Sequence, residues 1–461
     1  MKGFVTYRCF TKSLSLAVLA VIVATFSISI PIVAHASSSA GDPNQGSIKD
    51  PSGKRNVSYF QQWAIYGRNY LVKNVDTDGA ASKLTTLDYA FGGMTSDLKC
   101  ASVDTWADYQ KPFSADQAVN GVADTGGQPL AGNFNQLKEL KAKYPQLKVM
   151  ISLGGWTLSA HFSDAALPQN VVAYVRSCID MFINGNIPGL APGAAAGVFD
   201  GIDVDWEYPA VPGNAGNVVR PEDTRNFTGL LDQFRHQLDA LGAPTHTHYL
   251  LTIASPAGQD KYSHIELGRV SQSLDWINLM TYDMHGAWAA QGPTDIEAPL
   301  YCDPADPNPP PANQYCIDNT VRAYLAAGVP SFKINLGIPF YGRGWTNVPT
   351  ANGGLYQSSP NMAPAPGVFD SGVNDYKALA PLVSQGYTTY RSSVTQGYWI
   401  FNGSTFWSYD DVAEVSAKVD YANSKGLGGV YSWAIDGDNG DLLNAISTRL
   451  RCHALECPTA P

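Results

Sequence analysis

The chain has 461 residues, of which 44% are hydrophobic and only 15% are charged. This apolar content is ample for a large core, so it excludes a disordered chain and a disulfide-stabilised mini-protein. The net charge of −10 and the lack of any Lys/Arg run in the sequence argue against nucleic acid as a partner, since phosphate binding needs a basic patch.

The N-terminal residues predict an export signal. A basic start precedes an apolar stretch over 14–30, and the tripeptide Ala-His-Ala that ends at Ala36 matches the small-x-small cleavage pattern. We therefore expect a signal peptide over 1–36, an extracellular mature chain and no membrane segment after cleavage; the alternative is an uncleaved anchor. Residues 37–54, rich in Ser, Gly, Pro and Asn, follow as a linker.

Cysteine usage agrees with an oxidising compartment. One of the seven cysteines leaves with the signal, and the remaining even number suggests disulfides. Closeness in sequence favours the pairs Cys302–Cys316 and Cys452–Cys457, which leaves Cys100 with Cys178, although many other connectivities are open. No C-x-x-C motif occurs in the sequence, which disfavours a structural zinc site.

Eight short apolar, β-branched or aromatic runs follow along the chain. Most are separated by amphipathic segments with helical spacing, for example over 171–182, 223–241 and 411–424. This alternation predicts βαβ units, and eight of them predict an α/β fold, the (β/α)8 TIM barrel. The runs begin near Ser58, Leu87, Lys148, Gly201, Tyr249, Trp276, Lys333 and Gly429.

The interval between the seventh and eighth runs is too long for one βα unit. Its Tyr-, Gly- and Thr-rich texture predicts a small α+β insertion lobe over 345–406 within a domain that spans 55–450. A proline-rich stretch over 303–313 predicts a stiff surface loop. Residues 451–461 are expected to form a C-terminal tail, with no separate carbohydrate-binding module.

Three acids alternate along the fourth run. Asp203, Asp205 and Glu207 share one face of a strand, and the apolar residues between them share the other face. In a barrel the acids point inward, and Glu207 lies at the carboxyl end, where barrel enzymes carry their active sites. A purely structural role is disfavoured because unpaired buried charges are costly. A Mg²⁺ or Ca²⁺ site is the alternative.

The spacing of these acids suggests their roles. Like charges this close cannot all ionise near neutral pH, so the cluster must share protons. We expect Glu207 to have a raised pKa and act as general acid, Asp205 to orient it and Asp203 to tune Asp205. Two carboxylates on one strand do not flank a glycosidic bond as a two-carboxylate glycosidase requires, so the nucleophile either lies elsewhere or belongs to the substrate.

The pattern Asp200-x-x-Asp203-x-Asp205-x-Glu207-Tyr208 resembles the signature of family-18 glycoside hydrolases, the chitinases. Further segments resemble motifs of that family in the same order, and the likeness runs from about residue 57 to 438. It is greatest to bacterial secreted chitinases that carry a chitin-insertion lobe. The segments are SLGGW at 152–156, MTYD at 280–283, GIPFYGRGW at 337–345 and YSW at 431–433.

The resemblance implies a substrate-assisted retaining mechanism that needs no cofactor and no metal. In that mechanism the acetamido oxygen of N-acetylglucosamine attacks its own anomeric carbon. The resemblance makes Glu207 the acid/base and Asp205 the acceptor for the acetamido N–H. Asp203 supports Asp205, and Tyr282 with Asp283 holds the acetamido group.

Aromatic and polar residues at the barrel mouth are the expected substrate-binding set. Trp433 is expected to be the floor on which the sugar stacks. Trp156 and Trp288 either line the cleft or pack in loops, and Arg343 either contacts sugar or holds the lobe. The full set is Trp433, Tyr208, Met280, Phe91, Tyr59, Trp156, Trp288, Tyr341 and Arg343.

The resulting hypothesis is a secreted, monomeric, endo-acting hydrolase of chitin and N-acetylglucosamine oligomers. One alternative is a chitin-binding lectin on the same fold, which the presence of Glu207 disfavours. The other is an endo-β-N-acetylglucosaminidase acting on N-linked glycans, which the insertion lobe disfavours.

Overall fold

The structure, a computed structural model, describes residues 53–454, with the backbone alone at 452–454. The predicted signal peptide over 1–36, most of the linker over 37–54 and most of the tail over 451–461 lie outside the described residues. So does the predicted Cys452–Cys457 pair.

Eight parallel strands close into a barrel within the described residues, which confirms the predicted (β/α)8 fold. Each predicted apolar run forms one of them. Their order around the barrel is β1, β15, β8, β7, β6, β5, β4 and β2, and β1 pairs with β2 to close the ring. The strands are β1 (Arg55–Gln61), β2 (Thr86–Met94), β4 (Lys148–Gly154), β5 (Gly201–Asp205), β6 (Leu250–Pro256), β7 (Trp276–Met280), β8 (Ile334–Pro339) and β15 (Gly429–Trp433).

The α-helices except α9, which belongs to the insertion between β8 and β15, pack on the outer face of this barrel, and three of them match the helices predicted from apolar spacing. The segment predicted over 171–182 forms an α-helix that continues as a π-helical turn over Ile179–Ile183. The helices are α1 (Val72–Thr77), α2 (Gly132–Lys143), α3 (Phe162–Ala165), α4 (Val171–Cys178), α5 (Asp223–Gly242), α6 (Gln259–Tyr262), α7 (Leu267–Ser273), α8 (Ile317–Ala326), α9 (Tyr376–Leu379), α10 (Val412–Ser424) and α11 (Asp441–Ala454).

The remaining strands belong to the insertion lobe, except for β3 (Cys100–Ser102), which pairs antiparallel with β2. The lobe sheet is antiparallel, in the order β10-β9-β14-β13-β12, with β11 also on β9. Its strands are β9 (Tyr341–Thr346), β10 (Ala363–Pro364), β11 (Val373–Asp375), β12 (Thr388–Arg391), β13 (Tyr398–Phe401) and β14 (Phe406–Tyr409). We call residues 341–409 the insertion lobe. It is longer than the 345–406 of the sequence analysis because β9 begins only one residue after barrel strand β8.

Apolar residues divide between the two faces of the barrel wall as period-two strands require. Outward residues of β5, including Ile202 and Val204, join the large core beneath the helices. Inward residues form a second cluster around Tyr59, Met150 and Trp276. A third cluster lies mostly in the lobe and includes Ala287 and Ile296 from the segment after β7.

Two disulfides lie within the described residues, Cys100–Cys178 and Cys302–Cys316, and both confirm predicted pairs. The second closes the proline-rich loop at 303–313. Among the described residues, no helix combines the length and the apolar character that crossing a bilayer requires.

Candidate active site

The acids of β5 point into the barrel, and the residues between them point outward. Asp203 and Asp205 are buried, whereas Glu207, just beyond the end of β5, is partly exposed to the cavity above. Outward-facing Trp206 stacks on Phe162 at 5.6 Å between ring centroids. Packing of the outward residues beneath the helices therefore fixes the inward direction of the three acids.

Neutral hydroxyl groups hold Asp203. The Tyr59 hydroxyl donates to Oδ2 at 2.8 Å, and the Ser152 hydroxyl donates to the same oxygen at 2.7 Å. The Thr252 hydroxyl donates to Oδ1 at 2.6 Å. Burial raises the pKa of Asp203, and these hydrogen bonds to the carboxylate oppose that rise. Three hydroxyl donors thus satisfy the oxygens of Asp203, which argues against this carboxylate as a metal ligand.

Asp205 and Glu207 both favour their protonated forms. Burial, followed by the charges of Glu207 and Asp203, raises the pKa of Asp205 well above its ordinary value. Burial also raises the pKa of Glu207 to about 7, with a smaller contribution from Asp283. The Tyr208 hydroxyl donates to the Glu207 carboxylate and opposes this shift. Near neutral pH, Glu207 can therefore both give and take a proton.

Backbone contacts fix the position of Glu207. Its N–H donates to Ser159 Oγ at 3.0 Å, and its carbonyl oxygen accepts from Asn217 Nδ2 at 2.8 Å. Gly213 lies so close that a Cβ there would overlap the Glu207 carbonyl oxygen. Contacts with Ser159, Gly213 and Asn217 thus hold Glu207 just beyond the end of β5.

An aromatic floor lies beside the acids. Trp433, at the end of β15, stacks on Phe91 with 5.6 Å between centroids and packs on Tyr59 at 5.3 Å. Tyr59 is only 1% exposed, so it supports the floor and Asp203 from beneath instead of forming the cavity surface. Met280, at the end of β7, packs against the same inward cluster. Trp433 remains partly open to the cavity.

Tyr282 completes the inner wall. It accepts a hydrogen bond from the Tyr431 hydroxyl at 3.0 Å, and its ring contacts that of Tyr341 at 6.1 Å between centroids. Its pKa is raised well above the ordinary value by burial and by the nearby charges of Asp205, Asp283 and Glu207. The Tyr282 hydroxyl is therefore a permanent hydrogen-bond donor in this cavity.

Arg343 joins the insertion lobe to the barrel loop after β7. From β9 it donates through Nε to Asp283 Oδ1 at 2.7 Å, and its Nη2 lies 2.6 Å from the same oxygen. The guanidinium also lies over the rings of Trp288 and Tyr341, at 5.2 and 5.4 Å from their centroids. Arg343 therefore holds the lobe against the loop that carries Asp283, which is one of the two roles left open by the sequence.

Two tryptophans expected at the cleft are strongly exposed. Trp288 is 61% exposed after β7, and Trp156 is 50% exposed after β4. Both follow strands at their carboxyl ends, the end at which Glu207 lies. Neither belongs to a hydrophobic core cluster of the described residues, and the Arg343 guanidinium lies over the ring of Trp288.

Several residues of the site were not found from the sequence. Ser152, Thr252 and Ser159 form the hydrogen bonds described above, and Asn278 donates to Asp88 Oδ2 at 3.2 Å inside the barrel. Burial and the charge of Asp203 raise the pKa of Asp88 well above its ordinary value. An acid within an otherwise apolar strand was the available signal for Asp88. The hydroxyl residues gave no comparable signal.

Comparisons with known proteins agree with this architecture. The family profile described as Glycosyl hydrolases family 18 matches residues 55–438. The chain is 40% identical over 393 residues to chitinase C of Streptomyces lividans, a match that covers 84% of this chain and 58% of that protein. It is 34% identical over 439 residues to chitinase 1 of Aphanocladium album, covering 94% and 91% of the two chains.

Among solved structures, the catalytic domain of the psychrophilic chitinase B from Arthrobacter TAD20 superposes with a TM-score of 0.82 at 41% identity. That match covers 87% of this chain and 96% of the other. The chain spans about three fifths of the length of the first curated relatives that it matches. The match over most of the sequence, on a barrel with the acids of β5 turned inward, shows that this chain belongs to family 18 of the glycosyl hydrolases.

Proposed function

We propose that the protein hydrolyses β-1,4-linked N-acetylglucosamine polymers, that is chitin and its oligomers, with retention of configuration. The observation that carries this proposal is the placement of Glu207, whose carboxyl has a pKa of about 7, just beyond the strand end that follows the buried acids Asp203 and Asp205. The names of the relatives, which are chitinases, support the same substrate class.

The first step is departure of the leaving sugar. Glu207 donates its proton to the glycosidic oxygen while the bond from that oxygen to the anomeric carbon breaks. The acetamido carbonyl oxygen of the same sugar forms the new bond to the anomeric carbon, which gives an oxazolinium ion. Asp205 accepts a hydrogen bond from the acetamido N–H, and Tyr282 donates one to the acetamido group. A positioned acid contributes about 10²–10⁴-fold in rate.

The second step regenerates the enzyme. The Glu207 carboxylate takes a proton from a water molecule, whose oxygen attacks the anomeric carbon as the oxazolinium ring opens. Glu207 is then protonated again and the product is the β-anomer. Two successive displacements on one carbon give retention, which explains how one acid/base can suffice on this strand.

The test is product analysis on the N-acetylglucosamine hexamer. We expect dimers, trimers and tetramers that are β-anomeric by early-time NMR, and no products from Glu207→Gln. Products with the α-configuration would contradict the mechanism. Intact binding of the hexamer without cleavage would favour the lectin, and release of glycans from glycoproteins without cleavage of the hexamer would favour the endoglycosidase.

We also propose that the protein is exported and acts as a monomer. Export is supported by the two disulfides, which persist in oxidising compartments, and by the sequence pattern that ends at Ala36. Detection of the protein outside the producing cells and light scattering of the purified chain would test the two statements separately.

A further inference from the structure

A group of charged residues joins the loop after β1 to the insertion lobe and to the turn that follows Trp433. Arg68 Nη1 lies 2.6 Å from Asp375 Oδ2, on lobe strand β11, and 2.9 Å from Asp436 Oδ2, in the turn after β15. Both carboxyl groups are buried. Arg68 follows β1 and Asp436 follows β15, so the group lies at the carboxyl ends of the barrel strands, the end at which Glu207 lies.

Backbone contacts place this group close to Trp433. The Phe340 N–H donates to the Trp433 carbonyl oxygen at 2.7 Å. The next residue along the chain, Tyr341, pairs with Asp375 in the lobe sheet. Asp436 follows Trp433 by only three residues. The position of Trp433 therefore depends on how the turn after β15 and the edge of the lobe are held together.

The Arg68 guanidinium supplies the charge that lets the two carboxyl groups lie close together. One of its nitrogens contacts both groups, and like charges this close repel one another unless a cation lies between them. Burial raises the pKa of Asp436, the charge of Arg68 opposes that rise, and the charge of Asp375 adds to it. Lys377 contributes less directly, since its Nζ lies 3.9 Å from Asp375 Oδ2 and contacts Asp436 at the backbone carbonyl oxygen.

The same guanidinium holds an aromatic ring of the lobe. Arg68 Cζ lies 4.3 Å from the centroid of the Phe369 ring. One side chain from the loop after β1 thus contacts the lobe at two places and the turn after Trp433 at a third. Arg68 was not found from the sequence, because Asp375 lies 307 residues further along the chain.

We propose that Arg68 is a positioning residue of the hydrolysis proposed above, on which this inference rests. Its charge holds the turn after Trp433 against the lobe and so fixes the aromatic floor on which the reacting sugar stacks. Without that charge, Asp375 and Asp436 would repel each other and move the turn together with the floor. A displacement of about 1 Å in a group that orients the substrate can cost about 10²-fold in rate.

The test is steady-state hydrolysis of the N-acetylglucosamine hexamer by the full chain. Arg68→Met should lower kcat at least about tenfold, with a smaller change in KM, because the floor supports the sugar mainly as it approaches the transition state. Arg391 is the matched control. Its Nη2 lies 2.5 Å from Asp411 Oδ2, and its Cζ lies 5.1 Å from the centroid of the Tyr398 ring. Arg391→Met therefore loses the same two kinds of contact at another place and should keep kcat within about twofold.

A second variant separates this role from a general loss of stability. Asp436→Asn removes one of the two like charges, so the double variant Arg68→Met/Asp436→Asn should recover kcat at least about fivefold over Arg68→Met. Hydrogen exchange over 434–438 should quicken in Arg68→Met and return toward the wild-type rate in the double variant. A merely structural contribution of Arg68 predicts no such recovery, since the double variant removes a further polar contact.

Wild-type kcat in Arg68→Met, or a double variant no faster than Arg68→Met, would overturn this inference. A wild-type chain that fails to cleave the hexamer would instead contradict the proposed function. Hydrogen exchange needs no substrate, so it tests in either case whether Arg68 holds the turn, and unchanged exchange in Arg68→Met would also overturn the inference.

Discussion

Two groups of buried carboxyl groups in this molecule differ in what surrounds them. The contacts described for Asp203, Asp205 and Glu207 come from neutral donors, from one another and from the further acids Asp88 and Asp283. At the start of α10, Asp410 and Glu414 surround the ammonium of Lys418, which lies 2.6 Å from both oxygens of Asp410 and 3.2 Å from Glu414 Oε1. All members of this second group, the Lys418 cluster, are buried.

The difference decides what each group can do. Burial raises carboxyl pKa values in both places, but the charge of Lys418 opposes that rise at Asp410 and Glu414. On β5 the charges of Glu207 and Asp203 add to the rise at Asp205. A buried ammonium therefore counteracts the rise in pKa of its neighbours, whereas carboxyl groups without one must share protons. Proton sharing is what acid/base chemistry requires.

The largest expected effect is a loss of catalytic rate when Glu207, one of the acids at β5, is replaced. Glu207→Gln should lower kcat on the hexamer by at least about 10²–10⁴-fold, because it removes the proton that the leaving oxygen takes. Glu222→Gln, at an exposed acid just before α5, is the control and should retain wild-type kcat. A loss of less than tenfold in Glu207→Gln would mean that another group supplies the proton.

A substitution in the Lys418 cluster should lower the free energy of unfolding and leave the catalytic rate unchanged. Lys418→Met leaves two buried carboxyl groups without their cation, and we expect the free energy of unfolding to fall by about 3–5 kcal/mol. Denaturant titration at neutral pH measures this, with kcat of the folded variant unchanged. Lys99→Met, at an exposed lysine, should change the unfolding free energy by at most about 0.5 kcal/mol. Equal unfolding free energies for the two variants would remove the distinction between the clusters.

The raised pKa of Glu207 should make the free energy of unfolding depend on pH. The pKa of Glu207 is about 7 in the folded chain against an ordinary 4.5, so its stabilising proton is present at low pH and is lost as pH rises through about 7. Glutamine does not titrate. Glu207→Gln should therefore gain stability relative to the wild type between pH 5 and about 8, by up to about 3 kcal/mol. Melting temperatures across this range measure it, and a pH-independent difference would contradict the expected titration.

The smallest expected effect is a shift of the pH profile. The Tyr208 hydroxyl donates to the Glu207 carboxylate and lowers its pKa, so Tyr208→Phe should raise that pKa. The basic limb of kcat/KM should move to higher pH by up to about one unit, because Glu207 stays protonated longer. Tyr144→Phe, which loses a hydroxyl bonded to Asp76 on the outside of the barrel, should leave the limb in place. A shift to lower pH would reverse the inferred direction of the hydrogen bond.

How much of this could be predicted from sequence depends on local periodicity. The alternation of apolar and acidic residues along β5 was enough to predict that Ile202 and Val204 point outward and that Asp203 and Asp205 point inward. Successive side chains of a strand point to opposite faces. The same reasoning applied to β2 would have placed Asp88 inside the barrel beside Asp203. The contact between Arg343 and Asp283 could not be decided this way, since Asp283 lies in a loop whose path has no period and depends on tertiary contacts.

The boundaries of the insertion lobe show the same limit. The sequence placed its start at residue 345, where the texture changes. The structure starts it at Tyr341, because strand pairing with β11 and β14 begins there. Hydrogen-bond partners that are distant along the chain leave no local mark in composition.

Both connections between lobe and barrel are short. Only Phe340, which is fully buried, separates β8 from β9, and two residues separate β14 from α10. The ion pair between Arg343 and Asp283 adds a third attachment across the interface. The lobe is therefore held to the barrel by two short connections and this ion pair, so we expect it to keep a fixed position against the loop that carries Asp283.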